Sequence, residues 1–96
     1  MEIFAANRLS NGNFLFPVQV HIDEYSVRIV KPGLVAAYEK TLQYKKLSSI
    51  ELQTPLLGFT KIIISSYGLD KILVEGFERH EAEEIRRLIE EKMRGK

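Results

Sequence analysis

The chain contains no cysteine. No disulfide can staple it, and no thiolate can hold a metal. Long apolar runs are missing too: stretches such as Ile62-Ile63-Ile64 fall far short of the ~20 residues that cross a bilayer. The opening residues, Met1-Glu2-Ile3-Phe4-Ala5-Ala6-Asn7-Arg8, show no basic start followed by an apolar stretch, so no signal peptide is expected. Glu2 excludes N-myristoylation. A cytoplasmic setting is the expectation. An excess of one charge is also lacking, with 14 basic and 13 acidic residues for a net +1. The split is 8 basic to 7 acidic up to Phe77 and 6 to 6 beyond it. Nucleic acid binding draws on a strong basic surplus, so nucleic acid is not an expected partner. Three chemical signatures are absent: the G-x-S-x-G nucleophile elbow, the P-loop and the G-x-G-x-x-G turn. The serine pairs Ser48-Ser49 and Ser65-Ser66 therefore carry no nucleophile signal, and no small-molecule substrate or cofactor is indicated.

What is present is apolar patterning at two periods. The 96 residues are 45% hydrophobic with evenly mixed charge, which favours a packed core over disorder. That length suits one domain spanning residues 1–96. Asn11-Gly12 is the strongest hairpin signal, since both residues tolerate the positive φ of a tight primed turn. It separates a strand over Glu2–Leu9 from one over Phe14–Ile22, where Val18, Val20 and Ile22 alternate with Gln19 and His21. Pro17 lacks an N–H, which predicts an edge or a bulge in that second strand. Asp23-Glu24 turns the chain, and Tyr25, Val27 and Ile29 line one face of a third strand ending at Lys31-Pro32-Gly33.

Residues 34–46 fit two periods equally. Leu34, Tyr38 and Leu42 make a helical stripe, while Tyr38, Leu42 and Tyr44 alternate with Glu39, Thr41, Gln43 and Lys45. Three further strands follow: Ser49–Thr54 with Ile50 and Leu52 inward, the isoleucine-rich Thr60–Ser66 in a central or well-covered position, and Lys71–Phe77 with Ile72 and Val74 on one face. Turns at Pro55–Gly58 and Tyr67–Asp70 separate them. The strands thus fall within residues 2–77, seven if 34–46 is extended. A helix then runs over about residues 79–94, with Ala82, Ile85, Leu88, Ile89 and Met93 as its apolar stripe. Acidic residues in its first half and basic ones in its last turns complement the helix dipole. Glu83/Arg87 and Glu90/Arg94 have the spacing of surface pairs, and Gly95 follows as a C-cap. One helix cannot cover both faces of so large a flat sheet, so the strands are expected to form a bent sheet or two packed sheets with the helix plugging an open end.

Two histidines, His21 and His80, are the only imidazoles. A metal or general-base role needs converging partners. Asp23 shares a face with His21, yet one such neighbour fits an ordinary surface histidine better, and His80 is placed to help cap the helix. Lys40, Lys45, Lys46, Lys61 and Lys71 cluster if their strands are neighbours, although Glu39, Glu51 and Asp70 lie among them, so a mixed solvated face is the simpler reading. Tyr44-Lys45-Lys46 alone does not make a nucleic-acid stacking platform. Leu56-Leu57-Gly58-Phe59 places three large apolar residues in a turn. The simpler reading folds them back over the open end of the sandwich; the alternative is an exposed apolar tip for a partner or a bilayer interface, with Lys61 beside it to meet anionic headgroups.

Asn11-Gly12-Asn13-Phe14-Leu15-Phe16-Pro17 and Val27-Arg28-Ile29-Val30-Lys31-Pro32-Gly33 resemble the bacterial pleckstrin-homology-like (PH-like) domains. So do Ser48-Ser49-Ile50-Glu51, Thr54-Pro55-Leu56-Leu57-Gly58-Phe59-Thr60-Lys61-Ile62, and Gly76-Phe77 before the helix. The resemblance implies a mainly β fold, a seven-stranded bent β-sandwich or partly open barrel capped by the C-terminal helix, and it tips residues 34–46 toward strand. Eukaryotic relatives of that fold bind phosphoinositides through basic residues around the first loops. Here Ser10–Asn13 has only Arg8 nearby and Asp23-Glu24 is acidic, so the chain departs from that pattern. The expected function is a non-enzymatic protein-interaction or assembly module whose partner is another protein or a second copy. The alternative is a peripheral membrane module binding anionic lipid headgroups. The contact residues expected are Leu56, Leu57, Phe59 and Lys61, with a strand edge near Pro17 as the other candidate surface.

Overall fold

Residues 2–6, 17–31, 38–68 and 71–95 are described by the computed structural model. Alternating apolar residues build its two sheets. The first contains β1 (Glu2–Ala5), β2 (Gln19–Ile22), β3 (Ser26–Lys31) and β4 (Tyr38–Gln43), antiparallel in that order. The second contains β5 (Leu47–Gln53), β6 (Thr60–Ser66) and β7 (Lys71–Phe77), also antiparallel in sequence order. Helix α1 spans Arg79–Met93. The chain is therefore mainly β, with seven strands in two sheets and a C-terminal helix among the described residues, and the sheets do not close into a barrel.

Period-2 patterning sets the faces. Val20 and Ile22 on β2, Val27 and Ile29 on β3, Ile62 and Ile64 on β6, and Ile72 and Val74 on β7 all point into one core. Gln19 and His21 lie on the other face of β2, as their alternation requires. β6 is the central strand of its sheet, which accounts for its isoleucine run. Helix α1 lies against β5, β6 and the turn Tyr44–Lys46, burying Ala82, Ile85 and Ile89 with Leu88 and Met93 beside them. Each fully buried Ile or Val contributes roughly 1.5–3 kcal/mol relative to exposure. Among the described residues no helix is long and apolar enough to cross a membrane.

Residues 38–43 are strand, paired along β3 from Lys31↔Tyr38 to Ser26↔Gln43. The helical alternative for this stretch fails because that pairing places Leu42 opposite Val27 on the core side. A 3₁₀ turn over Tyr44–Lys46 then carries the chain into the second sheet. Tyr44 is buried there, and its hydroxyl donates to the Asp23 carbonyl at 2.6 Å. Burial, and next the Asp23 carboxylate, push its phenol up to about 12. Because the folded-state value is raised, its contribution is complete below the unfolded value near 10 and is lost as pH rises through about 12. Tyr44→Phe is expected to cost about 1 kcal/mol at neutral pH through the lost hydrogen bond. In urea titrations that gap should narrow from pH 10 upward, since the variant has no phenol to ionise. A gap unchanged by alkaline pH would show that Tyr44 is not held protonated by the fold.

Several local expectations need correction. Tyr25 does not join the inward face of β3. It sits in the bend before it, 77% exposed, because the Asp23 N–H bonds the Ser26 carbonyl at 2.9 Å and delays the strand. β2 begins after Pro17 and lies between β1 and β3. Both of its edges donate to neighbours, so proline is excluded from it, and Pro17 marks no free edge. His80 does not cap α1: the cap residue is Glu78, with no side-chain cap bond, and exposed His80 lies 3.7 Å from the Glu78 carboxylate. The spacing Glu83/Arg87 gives way to other partners, and Glu90 and Arg94 are joined by the Arg94 N–H on the Glu90 carbonyl rather than by an ion pair. Arg79 pairs with Glu83, while Arg87 donates to both Glu84 and Glu91 at 2.7 Å. The Arg87 hydrogen bonds hold the Glu84 carboxyl below its ordinary range. Gly95 does end the helix, at φ +75° with its N–H on the Lys92 carbonyl. The Asn11-Gly12 hairpin, residues 34–37 and the second half of the Tyr67–Asp70 turn lie outside the described residues.

Candidate interaction site

The turn joining β5 to β6 is built as a pedestal. At its base the Thr54 and Thr60 hydroxyls are 3.2 Å apart, within hydrogen-bond reach, and Thr60 is buried. Pro55 fixes one φ on the way out. Gly58 takes φ +102°, a conformation that other residues rarely adopt. Between these constraints Leu56 and Leu57 project into solvent, 103% and 89% exposed. The expectation that this turn folds back over the sandwich is therefore wrong for both leucines. Its reason is geometric: the Thr54–Thr60 base directs the chain away from the core. Phe59 differs from its neighbours and is partly buried, at the root of the tip just before Thr60.

Lone exposed leucines are ordinary. Two adjacent ones at full exposure on a constrained turn are not, since folding forgoes roughly 1.5–3 kcal/mol for each relative to burial. Lys61 follows at the start of β6, and its ammonium lies 3.8 Å from the Glu75 carboxylate across the ladder. The tip is thus apolar, with a cation at its root already shared with an acid.

The remaining sequence candidates separate in space. Lys40, Lys45 and Lys46 line an open groove of about 560 Å³ together with Ser66, Tyr67 and Gly68. Lys61 stands elsewhere, beside Gln53, Thr54 and Pro55, so the five lysines do not form one patch. A second depression, of about 510 Å³, joins Glu24, Tyr25 and Tyr44 to Lys45 and Lys92, mixing both charges.

His21 is tied into a polar chain on the outer face of the first sheet. Arg28 Nη2 donates to His21 Nδ1 at 3.2 Å, and His21 Nε2 donates to Gln19 Oε1 at 2.9 Å. Arg28 Nη1 reaches toward Glu39 at 3.8 Å. This chain follows from the cross-strand register His21↔Arg28, which sequence spacing alone does not reveal. Both ring nitrogens are occupied by these neighbours rather than by Asp23. No group of three or more His, Asp or Glu gathers as a metal site among the described residues.

The sequence matches no family model and no curated protein, and the fold matches no solved structure.

Proposed function

We propose that this chain is a non-enzymatic protein-interaction or assembly module with a PH-like architecture, and that Leu56 and Leu57 are its contact residues. The observation that carries this reading is the pair of fully exposed leucines on a turn held by Pro55, Gly58 and the Thr54–Thr60 contact. A constrained apolar tip loses little conformational freedom when it enters a partner's pocket, which is how preorganisation raises affinity. The order of four antiparallel strands, then three, then a helix supports the PH-like assignment. The lipid reading draws less support, because Lys61 already faces Glu75 and brings little net charge to an anionic surface.

The test is the double variant Leu56→Ser/Leu57→Ser, with Phe59 left in place because it is partly buried. Both side chains are solvated, so the melting temperature should stay within the range of surface substitutions, about 0.5 kcal/mol in stability. Used as bait beside the wild-type chain, the variant should fail to retain at least one protein that the wild type captures. Retention of an identical set by both baits would sink the proposal. Sedimentation with anionic vesicles at low salt is the companion assay. Salt-sensitive binding lost in the same variant would move the assignment to the membrane reading.

A further inference from the structure

β7 is the outermost strand of its sheet. Its inner side pairs with β6, and no described strand pairs with its outer side. Regular pairing ends at Glu75, because Thr60 aligns with Phe77 and Lys61 with Glu75, leaving Gly76 as an extra residue at φ +102°. The regular ladder is therefore Lys71–Glu75, and its middle residue is Leu73. Ile72 and Val74 face the core. Lys71, Leu73 and Glu75 face outward, with Leu73 43% exposed beside the partly buried Ile63 of β6.

Natural edge strands are blunted by proline, by inward charge, by charged edge side chains or by a β-bulge. On β7 the bulge at Gly76 and the charges of Lys71 and Glu75, which have opposite sign, lie at or beyond the two ends of the regular ladder, and its middle, Ile72-Leu73-Val74, carries none of these devices. Running a second copy antiparallel about a two-fold axis at Leu73 sets Lys71 opposite Glu75, Ile72 opposite Val74, and Leu73 opposite Leu73. Every pair is complementary, as an isologous interface requires. A parallel register would oppose Lys71 to Lys71 and Glu75 to Glu75.

We propose that β7 pairs with β7 of a second copy of this chain, forming a continuous six-stranded sheet across the dimer. This deepens the assembly reading by naming one partner, and it uses a surface distinct from the Leu56–Leu57 tip. The outer face of the joined sheet would carry a continuous apolar stripe, Ile63-Leu73-Leu73-Ile63. Glu75 would lie between Lys61 of its own sheet and Lys71 of the second copy.

Light scattering on a size-exclusion column over a wide range of loading concentration reads the outcome. The wild-type mass should rise with concentration toward twice the 11.1 kDa chain mass. Lys71→Glu and Glu75→Lys each place like charges opposite one another twice, and each should weaken dimerisation by about tenfold. The double swap Lys71→Glu/Glu75→Lys restores opposite pairing and should recover most of the loss. Circular dichroism must show all three folded, as expected for exposed positions. Leu56→Ser/Leu57→Ser should dimerise like the wild type. A wild type monomeric at every concentration, or single variants that dimerise as well as it does, would overturn the proposal. If the tip variant alone abolishes the dimer, the β7 edge is the wrong surface while the assembly reading stands.

Discussion

Replacing Phe77 by Ala is expected to lower the unfolding free energy by about 3–5 kcal/mol. Phe77 is fully buried and is the largest fully buried side chain among the described residues. Its position explains the size of the effect. It ends β7 opposite Thr60, directly after the Gly76 irregularity, and it stands two residues before α1 begins. The aromatic ring is therefore part of the core where the chain passes from sheet to helix, and truncation to a methyl group would leave a cavity there. Domains of this size are held by only about 5–15 kcal/mol in total. At about 4–8 °C for each kcal/mol, the melting temperature should fall by roughly 20 °C. A fall of only a few degrees in a calorimetric scan would mean that this junction is not packed as described.

Ile85→Asp is expected to be at least as damaging, and by a different route. Ile85 sits at the centre of the buried stripe of α1, between Ala82 and Ile89, and is fully buried. An ionised carboxylate there would be desolvated without a partner, a penalty large enough to force it neutral or to undock the helix. The expected loss exceeds about 4 kcal/mol, in the range reserved for buried unpaired charge. Loss of the helix also uncovers β5, β6 and the Tyr44–Lys46 turn, against which it lies. The control is Glu83→Ala on the solvent face, whose bond to Arg79 is exposed and spans 3.3 Å. It should cost about 0.5 kcal/mol or less. Chemical denaturation that finds the two variants equally stable would contradict the placement of α1 as the lid of the core.

Much of this fold was legible because its signals are local. Alternation in Val18–Ile22 and Lys71–Phe77 needs no knowledge of the partner strand, and the helical stripe from Ala82 to Ile89 is equally self-contained. Ambiguities and errors arose where a distant contact decides. Residues 38–43 balance two periodicities until β3 supplies the hydrogen bonds that make them a strand. Tyr25 looks like a strand residue until the Asp23–Ser26 bond pulls it into the bend. Arg87 had four acids within helical reach, Glu83, Glu84, Glu90 and Glu91, and spacing alone could not show that Glu84 and Glu91 would take it.

The candidate site was legible only in part. Leu56-Leu57-Gly58-Phe59 stands out by composition, but whether such residues pack or project depends on the direction of the turn. That direction is set by Thr54, Thr60 and Gly58. The charge symmetry of β7 is present in the sequence as Lys71-x-Leu73-x-Glu75, yet it acquires meaning only when β7 is known to lie at a sheet edge with those three residues outward.

Matched captures with the wild-type chain and with Leu56→Ser/Leu57→Ser, at melting temperatures shown to agree, test the central claim most directly. At least one protein held by the wild type is expected to be missing from the variant. The same proteins held by both, in the same amounts, would contradict it and leave the exposed leucines without a role in recognition.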